Sequence, residues 1–302
     1  MKKFLRTLAV FLLVLVPVLF AADYALSRYM RRTKTIPMET WRDIMEGKAG
    51  ADLLIMGNSR PLNACDKEVL DSLLGIPAYN LAIIGNHFAT QRFRYGMYRR
   101  YNTKPRVILQ FVDCYTLNPQ ISQFEATQYY PWMWNIHFLK GILGFSKLFV
   151  LNSSLPFFRY HASRPWSFRM RCKYSDRGFY SFRDYKYRHS EEGVQFSDSE
   201  TAALMLKDFI RESKEEGIKV VLILPPFRDD FGFAEGCREE MEARFEAIAE
   251  ECGVPLLDYV SAEMTHDHSY FMDPGHLIMK GAKVFTDTLV HDLVRLGTVE
   301  GR

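Results

Sequence analysis

Five short stretches of the chain are dominated by apolar residues without alternation, and each runs into a turn-forming or polar residue. They are Asp52–Met56, Ala78–Ala82, Arg106–Val112, Lys219–Leu224 and Pro255–Asp258. Continuous apolar runs of this length read as strands buried on both faces, the mark of a parallel sheet. Helical spacing fills the intervals, over Lys67–Leu74, Phe88–Tyr101, Ser199–Glu216 and Arg238–Glu251, with a short helix at Glu39–Glu46 and a last one over Ile278–Leu296. Strands alternating with helices predict an α/β fold, a flavodoxin-like doubly wound parallel sheet with helices on both faces. In such a sheet, ligands bind beyond the carboxyl ends of the strands.

Two segments depart from that alternation. At the N-terminus a basic opening with Lys2, Lys3 and Arg6 precedes an uncharged run from Leu8 to Ala22, interrupted only by Pro17. A spanning helix needs about 20 mostly apolar residues, so residues 1–35 are expected to be a membrane anchor and its juxtamembrane segment. Phe20-Ala21-Ala22 offers small residues to a signal peptidase but no small-x-small pattern, which favours an uncleaved anchor. Arg28, Arg31, Arg32 and Lys34 balance the charges ahead of the run. The orientation therefore rests on the basic-then-apolar opening: a single pass through the cell membrane, N-terminus cytoplasmic and body extracytoplasmic.

The second departure is an insertion at about 116–198 within an α/β domain spanning 36–302. It is rich in aromatic residues, from Tyr129-Tyr130-Pro131-Trp132 to Pro165-Trp166, and has helical pieces around Ile136–Leu151. Between Arg159 and Arg188 nine basic residues face only Asp176 and Asp184. A connection this long in a compact domain is expected to be a lid or a binding element. Arginine forks and aromatic faces would suit a polysaccharide or lipid surface, whereas a folded lid would use the same aromatics as its core.

Composition narrows the classes. The 302 residues are 48% apolar and 25% charged, ordinary for a globular chain, and a net charge of +3 gives no footprint for nucleic acid. Five dispersed cysteines without a C-x-x-C make neither a disulfide framework nor a structural zinc site. Cys237 and Cys252 flank one predicted helix and would lie roughly 22 Å apart, beyond disulfide reach.

The chemistry-bearing residues gather at the predicted strand ends. Ser59 follows the first strand in Gly57-Asn58-Ser59-Arg60, and Asp273-Pro274-Gly275-His276 follows the last. Serine, histidine and aspartate are the parts of an acyl-transfer triad: Ser59 as nucleophile, His276 as general base, Asp273 as the group orienting it. Taken separately, a strand-end serine and a capping aspartate followed by a surface histidine are common. The predicted topology brings them to one sheet edge. Asp113, at the end of the third strand, reads as a turn residue near the pocket. Arg60 would pair either with Asp113 or with a carboxylate on a substrate, so both belong to the expected substrate-binding set. His266-Asp267-His268 could ligate a metal, but side chains alternating along an extended segment would point apart, so no metal site is expected.

The order Gly57-x-Ser59, then Gly85, then Asp273-x-x-His276 resembles the SGNH/GDSL hydrolase superfamily. It is most similar to the membrane-anchored branch that contains the D-alanyl transfer protein of teichoic-acid modification and the alginate O-acetylation proteins. Gly57-x-Ser59-Arg60 and Asp273-x-x-His276-Leu277, followed by Gly281-Ala282, carry the likeness over about residues 50–115 and 217–295. The resemblance implies an SGNH-type fold, Ser59, Asp273 and His276 in the roles above, and an oxyanion hole using Ser59 and Gly85. Its third block should supply an asparagine, where this chain has Gln110-Phe111-Val112-Asp113. Asn86 is the substitute donor expected.

These readings predict a membrane-anchored serine acyltransferase or esterase, free of cofactors, acting on a cell-envelope glycan or polysaccharide. The resemblance adds a multi-pass membrane O-acyltransferase as partner. A catalytically silent scaffold of an envelope-modification complex is the alternative, and a metal-dependent hydrolase using the histidines of residues 266–276 is a third.

Overall fold

In the computed structural model, residues 1–85, 88–119, 128–138, 172–182 and 193–301 are described, with the backbone alone for 172–176 and 180–182. The chain divides into two compact units, Met1–Arg42 with Ile121–Arg169, and Asp43–Gln120 with Met170–Arg302.

The first unit is built on α1 (Lys2–Met30), which passes through Pro17 without ending. At 1.5 Å per residue it is about 44 Å long, more than the roughly 30 Å of a hydrocarbon core. Its apolar window has a mean hydropathy of 2.5 and is not buried within the protein, so it is long and apolar enough to cross a membrane. The helix runs past Asp23, which the sequence pattern treats as the end of the apolar run. Asp23 is fully buried and accepts a 2.8 Å hydrogen bond from Trp134 Nε1. The same indole stands edge-on to Phe20 and Tyr24 at 6.0 and 5.5 Å. A carboxylate with a partner costs the helix far less than a bare one.

The next helix, α2 (Ile36–Met45), leads into the second unit. There β1 (Leu53–Met56), α3 (Ser59–Ala64), α4 (Lys67–Leu74), β2 (Ala78–Asn80), α5 (Phe88–Tyr101) and β3 (Val107–Phe111) follow in turn. A hairpin of β4 (Cys172–Asp176) and β5 (Phe179–Phe182) comes next, then α6 (Glu200–Glu215), β6 (Lys219–Leu224), α7 (Cys237–Cys252) and β7 (Leu256–Asp258). A small pair, β8 (Phe271–Asp273) and β9 (His276–Leu277), precedes the final α8 (Met279–Arg295).

Five strands form one sheet in the order β2-β1-β3-β6-β7, and every pairing is parallel. Counted among themselves these strands run 2-1-3-4-5, the flavodoxin-like order. Helix α8 contacts α3 and α4, and α6 contacts α5 and α7, so two helical layers enclose the sheet. This is the α/β architecture expected from the apolar runs. On the first layer Leu53, Ile55, Leu109, Val221 and Ile223 meet Leu70, Leu74, Phe285, Leu289 and Leu293 in one core cluster. Each such side chain contributes about 1.5–3 kcal/mol on burial. Cys65, Cys114, Cys237 and Cys252 are buried.

Much of the expected insertion, including most of its basic block, lies outside the described residues. What is described includes the β4–β5 hairpin, which packs against α3 and β2: the Asn80 N–H donates to the Arg177 carbonyl at 3.0 Å. The sequence of this stretch offers few clear strands. Arg177 takes a positive φ of 47° at the turn, a conformation uncommon outside glycine.

Candidate active site

The carboxyl ends of β1, β2, β3 and β6 open on one edge of the sheet, because all run in the same direction. At the end of β1 the chain turns at Gly57, whose φ is 151°. A Cβ there would lie 2.5 Å from Pro61 Cγ and 2.9 Å from Phe111 Cβ. Only glycine allows the backbone to pass this close and start α3 two residues later. Asn58 caps that helix, its side-chain oxygen accepting the Arg60 N–H at 3.0 Å. Ser59, half-buried, is the first helical residue.

After β2, the Leu81 N–H donates to Ile55 O at 2.8 Å and the Ile83 N–H to Gly57 O at 3.2 Å. These bonds lay the segment leading to Gly85 alongside the β1–α3 turn. Gly85 is exposed, with a φ of 66°. Asn86, the expected substitute donor, lies outside the described residues.

From the other end of the chain, β8 and β9 form a tight antiparallel pair in which Asp273 stands opposite His276. The sequence reading missed this hairpin because two strands of three and two residues have no periodicity to read. Gly275 within its turn meets the interior: a Cβ would be 3.2 Å from both Arg60 Nη2 and Phe231 Cε2.

Ser59 Oγ lies 2.7 Å from His276 Nε2. His276 Nδ1 lies 2.8 and 3.0 Å from the two oxygens of Asp273. An ionised carboxylate only accepts, so Nδ1 donates to it and Nε2 presents its lone pair to the serine hydroxyl. The side chains of His276 and Asp273 are 25% and 18% exposed, open enough to meet a substrate. Burial alone would raise the Asp273 carboxyl. The hydrogen bond and charge of His276, the Gly275 N–H at 2.9 Å and the Arg60 charge outweigh it and hold the group below its ordinary value.

Of the two partners open to Arg60 in the sequence, the structure has Asp113, in an ion pair whose side chains are only 5% and 2% exposed. Both side chains lie in the interior rather than open to solvent. Asp113 also accepts from the Asn58 side chain, and its own loop is closed by bonds with Thr116 and the Tyr115 N–H. Burial works against the Arg60 charge, but the Asp113 carboxylate more than compensates and keeps its pKa above the ordinary value. Three rings surround the guanidinium, Phe227 at 4.6 Å and Tyr115 and Phe231 at 5.4 Å. Phe227 and Phe231 follow β6, and nothing local in the sequence ties them to Arg60. The Ser-Arg pair and a strand-end aspartate were the only legible signals.

His266 and His268 also differ from expectation. They lie in successive 3-10 turns rather than on an extended strand, and both rings converge on Asp229.

No family model matches the chain, and no curated protein matches it. Among solved structures it is similar to one named for platelet activating factor from Streptococcus pneumonia, at 9% identity and a TM-score of 0.47, covering 94% of this chain and 99% of that one. A lipase/acylhydrolase from Enterococcus faecalis is 10% identical at a TM-score of 0.40, with 83% and 98% covered. A GDSL-like lipase from Bacteroides thetaiotaomicron is 12% identical at 0.37, with 85% and 98% covered. Two of these three are named as a lipase/acylhydrolase and a GDSL-like lipase, while likeness this distant leaves the activity of the present chain to its own side chains.

Proposed function

We propose that this protein is a serine acyl hydrolase or acyltransferase in which Ser59, His276 and Asp273 form the reacting triad. The single observation supporting this most strongly is the serine hydroxyl 2.7 Å from an imidazole nitrogen whose other nitrogen is held by a carboxylate. Ser59 Oγ attacks the acyl carbonyl as His276 Nε2 takes its proton. Asp273 stabilises the imidazolium that results. The oxyanion meets the backbone N–H groups of Ser59 and Gly85, with Asn86 the further donor proposed; one such donor is typically worth about 3–4 kcal/mol. His276 returns its proton to the leaving group, and the acyl-Ser59 ester then passes to water or to an acceptor hydroxyl. No cofactor enters these steps.

In the finer reading, the acceptor or substrate is a cell-envelope glycan outside the membrane. Helix α1 holds the protein there as a single-pass anchor with its N-terminus in the cytoplasm, and a multi-pass membrane O-acyltransferase supplies the acyl group. The long apolar α1 supports the tether, and the resemblance to the anchored branch supports the glycan and the partner. One observation favours the silent-scaffold reading: Val112 stands where that branch carries an asparagine, so the third block offers no side-chain oxyanion donor.

Steady-state hydrolysis of p-nitrophenyl acetate, with and without a soluble glycan acceptor, separates these readings. Release of nitrophenolate that depends on Ser59 supports an enzyme, and acceleration by the glycan with acetyl appearing on it supports transfer. A wild type no faster than Ser59→Ala would leave the scaffold.

A further inference from the structure

We infer that Asp229, Asp230 and His268, with His266 beside them, form a binding site for one divalent metal ion of the zinc class. Among the described residues these are the metal-ligating groups that converge away from Ser59. The donor atoms of Asp229, Asp230 and His268 all lie within 4.8 Å of one another. His268 Nε2 is 2.7 Å from one oxygen of Asp229, and His266 Nδ1 is 3.0 Å from the other. Nitrogen and oxygen ligands bound at about 2.0–2.2 Å sit about 3 Å apart across a coordination edge. The spacing that now holds a shared proton therefore suits a shared ion after small ring rotations.

The donor set selects the metal. Imidazole with carboxylate suits zinc, nickel or manganese better than calcium or magnesium, which prefer oxygen alone. The side chains of Asp229, His268 and His266 are 39%, 51% and 69% exposed, so an ion can enter and water can complete its shell. Asp230 is now clasped by Arg228 through both oxygens, one of them at 2.7 Å to Nη2. A dication would take over that neutralisation and release the guanidinium. Asp229, Asp230 and His266 line one wall of a cavity of about 670 Å³, which leaves room for that movement.

The site would staple two loops. The Asp229 N–H already donates to Thr265 O at 3.3 Å, so the segment after β6 and the turns before β8 need no large rearrangement. The Arg228 N–H donates to Pro274 O at 2.9 Å, which ties the first loop to the turn between Asp273 and His276. An ion here would brace the loop that is bonded to the Asp273–His276 turn.

The test is calorimetric titration of the full, chelator-treated chain in detergent with zinc sulfate and with manganese chloride, alongside thermal unfolding. One zinc ion per chain should bind and raise the unfolding temperature. Asp229→Asn and His268→Gln should each weaken zinc about tenfold or more, since losing even a group that only orients a ligand commonly costs that much, with unchanged circular dichroism in the absence of metal. His291→Gln, an exposed histidine paired with Asp287, should leave binding untouched. Absence of saturable zinc binding up to millimolar concentration would overturn the inference. So would stoichiometric binding that survives the Asp229→Asn/His268→Gln double substitution.

Discussion

Arg60 and Asp113 form a buried ion pair that fixes both neighbours of Ser59, because Asp113 holds the Arg60 guanidinium and the Asn58 amide with one carboxylate. The hydroxyl between them is thereby set at the end of β1 with little freedom. Removing one member of a buried pair leaves a bare charge, which typically costs about 3–5 kcal/mol. Arg60→Met should therefore destabilise the chain by about that much in chemical denaturation, and Arg60→Met/Asp113→Leu should recover most of it. A loss below about 1 kcal/mol for the single substitution would mean that the pair is solvated, as surface pairs are.

Gly57→Ala tests the turn that delivers Ser59. The added methyl would meet Pro61 Cγ at 2.5 Å and Phe111 Cβ at 2.9 Å, and neither is the loose end of a flexible chain. The β1–α3 turn has to shift, and a misplacement near 1 Å commonly costs about 100-fold in rate. The variant should fold but acylate about 100-fold more slowly, measured as the burst of nitrophenolate. An unchanged burst would show that the turn is not under this constraint.

The Asp273 carboxyl carries a pH signature. Its folded pKa lies below the ordinary value, so the stability it adds is fully present above the unfolded value, near 3.9. That stability is lost as pH falls through the lower folded value. Wild type should exceed Asp273→Asn in Tm by a steady margin from about pH 5 upward, and the margin should close below about pH 4. A margin that widens on acidification would reverse the sign of the shift.

The anchor reading predicts that residues 1–25 stay on the mature chain. N-terminal sequencing of the membrane fraction should begin at Met1 or Lys2, and a reporter placed after Arg302 should score as extracytoplasmic. A mature chain beginning near Asp23 would instead mark a cleaved signal.

What the sequence made legible follows from locality. Four of the five strands were readable because both faces are buried, which leaves runs such as Lys219–Leu224 almost wholly apolar. The edge on which Ser59 and Asp273-x-x-His276 meet followed from strands running one way. The continuation of α1 past Asp23 was legible in Tyr24-Ala25-Leu26, but the partner that makes burial of Asp23 tolerable, Trp134, is 111 residues away and was not. Arg60 could not be assigned between Asp113 and a ligand without the aromatic faces that Phe227 and Phe231 bring from β6. The two histidines at 266 and 268 were read as diverging because an extended segment was assumed, where the chain forms successive tight turns.

The central claim is that Ser59 is a nucleophile primed by His276, and a serine-directed fluorophosphonate tests it most directly. The intact chain should take up one equivalent, and peptide mass mapping should put the adduct on Ser59. Ser59→Ala and His276→Ala should both abolish labelling with little change in thermal stability, since truncating half-exposed polar groups usually costs little. Asp273→Asn should slow labelling without abolishing it, because the imidazole then tends toward the wrong tautomer. Stoichiometric labelling that persists in Ser59→Ala, or a wild type that takes up no probe, would contradict the account.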